Sequence, residues 1–177
     1  MSANSGGVTP VEFGNINASY PSLFVPFSPQ RLFAALGSTL TDVQFFVPGT
    51  SSNASVRGFG AVFTDVDLAN TTSMEFFNAD NVSLGTFFVP AFSGNETLSF
   101  LGVDFGSSVV SRVRITSGNE VLGASNNEDA THDLVVMDDF IFAEPAAVPE
   151  PGSALLLVVG LLVLVPILRP RDRPRWL

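Results

Sequence analysis

Few side chains in this sequence are equipped for catalysis. Histidine occurs once, as His132, and cysteine not at all. A Ser/His/Asp triad would have to run through His132, which sits in the polar stretch "NNEDATHDL" and reads as a solvated loop histidine. There is no GxSxG elbow and no glycine loop of the phosphate-cradling kind. One imidazole and no thiolate leave a catalytic zinc short of donors, and disulfides are excluded. Carboxylates are plentiful, but a glycosidase needs two at a set separation, which spacing along the chain does not supply. The expectation is therefore no catalytic residue.

The acids fit a hard cation better. Calcium takes six to eight oxygen ligands, carboxylate or carbonyl. Asp65 and Asp67 in "TDVD" point the same way if the chain is extended. Asp138 and Asp139 in "MDDF" would point to opposite faces of a strand, so only one could join a given site. Glu128, Asp129 and Asp133 crowd a further loop. Asp138 is the first choice of calcium ligand and Asp65 the second. The ordinary alternative for each is a turn residue or a solvated charge.

Charge is unevenly placed along the chain. All eight basic residues are arginine, and Arg169, Arg171, Arg173 and Arg175 fall in the last nine positions. The body up to Glu150 holds four arginines against sixteen acids, a formal charge of −12. Such a surface repels nucleic acid. It suits an extracellular setting or cation binding.

These acids must be positioned by strands. Apolar and β-branched runs alternate with turn clusters through "LTDVQFFVPGTSSNAS", "VRGFGAVFTDVD", "SMEFFNADNVSLGTFFVP", "TLSFLGVDF", "VVSRVRITSG" and "HDLVVMDDFIFAEP". The third run reads as a hairpin turning at Ala79-Asp80-Asn81. In "SRVRITS", Arg112 and Arg114 share one face, Val113 and Ile115 the other. Six to eight such strands predict an all-β antiparallel sandwich or jelly roll, with many of the seventeen phenylalanines in its core. Sequons begin at Asn17, Asn53, Asn70, Asn81 and Asn95 and mark surface turns. Trp is absent from the body and Tyr20 is its only tyrosine, a poor supply of sugar platforms.

The end of the chain follows other rules. Gly152 to Leu168 carries no charge and no polar face. As a helix it would be about 26 Å long at ~1.5 Å per residue, near the short limit for a bilayer span. The arginines after it should stay in the cytoplasm, which puts the acidic body across the membrane. That orientation calls for an export signal upstream of Met1, since "MSANSGGVTPVEFGNINASYPSLF" has no basic n-region or apolar h-region.

Val148-Pro149-Glu150-Pro151, an apolar run with a central Gly160 and a basic end together resemble the PEP-CTERM sorting signal. The same motif is catalogued under an ice-binding C-terminal label, which does not itself imply ice binding. The resemblance covers about residues 148 to 175; the prolines in "RPRDRPR" depart from the family's plain arginine run. It implies an exosortase-type sorting enzyme as partner, with Glu150 in the recognised element. It also implies an exopolysaccharide-producing Gram-negative bacterium and an inner-membrane-held chain whose periplasmic body moves on to the cell surface. The body looks similar to exported galactose-binding-like sandwiches, and Asp138-Asp139 to the acidic pair often found at a calcium site in sandwich carbohydrate-binding domains.

The expected organisation is a disordered start over 1–10, a sandwich over 11–144, and a linker with the sorting motif over 145–151. A membrane helix over 152–168 and a basic cytoplasmic tail over 169–177 complete it. The expected function is a non-catalytic bacterial surface or matrix protein, with exopolysaccharide as a further partner. A calcium-dependent carbohydrate-binding module is the alternative, and a hydrolase comes third.

Overall fold

The computed structural model describes residues 8–28 and 31–148. The chain divides into two units, Met1–Ala147 and Val148–Leu177. The predicted membrane helix, the basic tail and Pro149, Glu150 and Pro151 of the sorting motif lie outside the described residues. Among the described residues no helix is long and apolar enough to cross a membrane.

The first unit is all-β with antiparallel sheets. In chain order the strands are β1 (Leu40–Gln44), β2 (Ala54–Ser55), β3 (Gly58–Thr64), β4 (Ser73–Phe77) and β5 (Ser83–Phe88). They continue as β6 (Leu98–Asp104), β7 (Arg112–Thr116), β8 (Val136–Phe142) and β9 (Ala146–Ala147). One sheet has the order β1-β7-β4-β5 and a second β6-β3-β8, while β2 pairs with β9. The two larger sheets share one core. Phe59, Ala61, Phe63 and Met137 of the second sheet lie in the same buried cluster as Met74, Phe76, Val113 and Ile115 of the first. This sandwich-like arrangement follows from alternation, since every second side chain of a half-buried strand must leave water.

Alternation holds best in β7. Val113 and Ile115 are fully buried, while Arg112 and Arg114 both bind Asp42 of β1 at 3.0 and 2.9 Å. The Arg112 guanidinium also lies 3.7 Å from the centre of the Phe77 ring. The predicted hairpin is β4–β5. Asn78 closes it by accepting the Asp80 and Val82 amides, and Asn81 takes the left-handed conformation at φ 60°.

The segment before β1 is not strand. Two short 3-10 turns, Pro10–Asn15 and Tyr20–Ser22, carry Phe13 and Tyr20 into a second apolar cluster with Phe24, Leu122, Leu134 and Val136. Val8 bridges to Leu32. The Tyr20 hydroxyl accepts the Gly123 amide at 3.1 Å and faces the Gly123 and Asn126 carbonyl oxygens at 2.9 Å. That contact pins the long loop between β7 and β8.

Only part of the phenylalanine complement is core. Seven are buried, but Phe27, Phe46, Phe87, Phe88, Phe92, Phe100 and Phe142 are exposed. Phe100 shows why. It lies on the outer face of β6, and its ring covers the cross-strand pair Gly60–Gly102. A Cβ on Gly102 would come within 2.8 Å of that ring. The glycines make a flat bed for an aromatic side chain that the core does not need.

Candidate carboxylate site at the sheet crossovers

The connections that pass from one sheet to the other include β3 to β4, β5 to β6, and β7 to β8. These three meet at one end of the fold. The Asp65 amide binds the Thr97 carbonyl at 3.0 Å, the Phe92 amide binds Val66 at 2.8 Å, and the Gly94 amide binds the Asp67 carboxylate at 2.8 Å. The third crossover joins through Asp133. It accepts the Asp67 amide at 3.0 Å and the Thr71 hydroxyl, and its own amide donates to Asn119 Oδ1 at 2.7 Å.

Carboxylates gather inside this knot. One oxygen each from Asp65, Asp67 and Glu128 all lie within 4.8 Å of one another, the one such group among the described residues. Asp65 follows directly on β3, whose end delivers it into the interior. Its backbone is left-handed at φ 70°, an uncommon conformation outside glycine. That turn lets Asp65 converge with Asp67 although the chain is not extended there. Asp65 is fully buried, and neither of its oxygens receives a hydrogen bond from an N–H or hydroxyl of the described residues. Glu128 Oε1 is buried and equally without a donor.

Burial therefore pushes the Asp65 carboxyl far above its ordinary range, and the neighbouring Glu128, Asp67 and Asp133 charges push the same way. Glu128 is also raised, chiefly by burial. Asp133 is raised by burial too, although its hydrogen bonds to Thr71 and to the Asp67 and Leu68 amides oppose this. A cleft of 350 Å³ opens beside the group, lined among others by Asp67, Glu128, Ser93 and Asn95. Chemically the arrangement offers only hard oxygen donors, so it matches a cation such as calcium and no soft metal.

The first-choice ligand lies elsewhere. Asp138 Oδ2 accepts the Phe27 amide at 2.6 Å and the Ser28 amide at 3.2 Å. Asp139 Oδ1 accepts the Ser28 hydroxyl at 2.9 Å, and that hydroxyl also reaches Asp138 Oδ1 at 3.3 Å. Strict alternation would have put these two acids on opposite faces. The register between β3 and β8 shifts between Ala61 and Phe63, so Asp138 and Asp139 together oppose one β3 residue. A bulge of this kind breaks the alternation. Asp138 and Asp139 thus clamp the segment before β1, and Asp65 and Asp67 are the acids brought together. Glu128 completes them from the loop where acids crowd.

His132 stands half-exposed on that same loop. Its Nδ1 faces Asp129 Oδ2 at 2.9 Å and Thr131 Oγ1 at 3.2 Å, and Nε2 faces Glu120 at 3.9 Å. The Asp129 hydrogen bond raises the imidazole pKa and holds the Asp129 carboxyl below its usual range. Both groups with oxygen on Nδ1 share one nitrogen, which is not the relay geometry of a nucleophile, base and orienter. No family model, curated protein or solved structure matches this chain.

Proposed function

We propose that this chain is an exported bacterial cell-surface or extracellular-matrix protein whose sandwich, of the jelly-roll kind, does structural or adhesive work without catalysis. The observation that carries the reading is the place where the chain divides. The β unit ends at Ala147, and Val148-Pro149-Glu150-Pro151 begins immediately after it. A sorting signal of the PEP-CTERM type has to be separable from its cargo, and a boundary at this position supports that reading. The −12 body and the four terminal arginines support the matching orientation, with an exosortase-type enzyme as processing partner.

The test is fractionation of an exopolysaccharide-producing Gram-negative host expressing the exported chain. The wild-type body should reach the surface or medium with altered mass. Glu150→Ala, or deletion of residues 152–177, should leave it misplaced and unprocessed. Unchanged location and mass in both variants would remove the sorting role.

A second reading, a carbohydrate-binding module, draws on Phe100. Its ring is half-exposed on an outer sheet face and bedded on two glycines, with exposed Ile141 on the strand beyond β3. A flat ring of this sort can stack on a sugar. Exopolysaccharide retention on immobilised protein should fall at least tenfold in Phe100→Ala, and equal retention by both proteins would set this reading aside.

A further inference from the structure

We propose that Asp65, Asp67 and Glu128 bind one calcium ion that ties the sheet crossovers together. Three independent features converge on this. The first is the donor set: three carboxylates within 4.8 Å, carried by two crossovers some sixty residues apart in sequence. The second is Asp65 itself, fully buried, with no N–H or hydroxyl donor to either oxygen among the described residues; its side-chain hydrogen-bond partner is another acid, Glu128. A buried carboxylate in that position is destabilising unless something neutralises it. The charged groups acting on it are Glu128, Asp67 and Asp133, all of the same sign. The third is access. Asp67 and Glu128 line a cleft of 350 Å³, through which an ion could enter and keep water ligands.

The supporting shell is already built. Asp133 fixes Asp67 through its amide, and Gly94 fixes the Asp67 carboxylate. Such partners set ligand orientation as they do at other metal sites. Calcium rather than magnesium follows from the ligands. Asp65 offers two oxygens on one carboxylate, neither held by an N–H or hydroxyl of the described residues, and Asp67 and Glu128 face a cleft, which suits a large, flexible coordination shell. Magnesium demands near-ideal octahedral geometry at shorter distances. The ion would join β3–β4 to β7–β8, with β5–β6 held through the Gly94 contact. The proposal does not depend on how the protein is delivered.

The experiment uses the full chain in detergent, stripped with chelator and titrated with calcium chloride by calorimetry, with melting followed in parallel. One equivalent of calcium should bind. At a hundredfold excess over the dissociation constant the melting temperature should rise by roughly 5–10 °C. Magnesium should bind at least tenfold more weakly. Glu128→Gln and Asp65→Asn should each lose the calcium response, while Asp138→Asn keeps it. Should Asp65→Asn fail to fold, Asp67→Asn takes its place beside Glu128→Gln. Identical melting in calcium and chelator would overturn the proposal, because a shared proton would then be the neutralising partner. Binding that survives the Asp65 or Asp67 variant together with Glu128→Gln would overturn the site, and magnesium binding as tight as calcium would overturn the choice of ion.

Discussion

At the scale of single residues, the clearest test is Gly118. It takes φ +66°, and an added Cβ would run into the Asp133 carbonyl oxygen, a backbone atom that cannot swing aside. The carbonyl also accepts the Asn119 amide at 3.2 Å. Gly118→Ala should therefore destabilise the fold by roughly 3 kcal/mol or more, combining left-handed strain with a backbone clash. Urea melts would read this as a lower midpoint at unchanged slope. A second test uses pH. The Arg114 hydrogen bond, aided by Arg112, holds the Asp42 carboxyl below its usual range. A depressed carboxyl stabilises the fold above its unfolded value near 4, and the contribution is lost as pH falls through the folded value. Asp42 is more than a third exposed, so solvent screening limits the effect to about 1 kcal/mol. Asp42→Asn should be less stable than wild type at pH 7, and the difference should shrink below pH 4 in paired denaturation curves.

At the scale of elements, Asp138 joins β8 to the segment before β1. Asp138→Ala strips the acceptor from the Phe27 and Ser28 amides, and two orphaned amides should cost about 2–3 kcal/mol. The same variant should keep its calcium response, which separates the clamp from the crossover site. The strands themselves were legible because hydrophobic alternation is local: the two arginines of β7 and the hairpin turn at 79–81 both appear where the pattern places them. What alternation does not encode is a bulge. The shift opposite Val62 turned Asp138 and Asp139 toward the same serine, against the two-face expectation. Nor does it encode which loops meet. Asp65 and Glu128 come together because β3 and β8 are neighbours in one sheet, a pairing between distant stretches that no local motif announces. The exposed Phe100 did have a signal: a glycine two residues on in its own strand, and another in the strand it pairs with.

At the scale of the whole molecule, every described strand and both apolar clusters lie before Val148. Removing Val148–Leu177 should leave the melting temperature within about 2 °C of the full chain in the same detergent. The truncated protein should give a circular dichroism spectrum dominated by strand. Helix above the ordinary third of residues would contradict the fold.

The shape of β5 carries a consequence for crowding. β5 is the border of its sheet, and pairing with β4 shifts register between Phe76 and Phe77, leaving Leu84 as an extra residue. Gly85 beside it takes φ +134°. A border strand with an uninterrupted row of amides invites another molecule to add a strand of its own, and exposed Phe87 and Phe88 would strengthen the invitation. The kink at Leu84-Gly85 interrupts that row near the start of the strand. Packed densely, neighbouring copies would find this border of the sheet a poor template to zip onto.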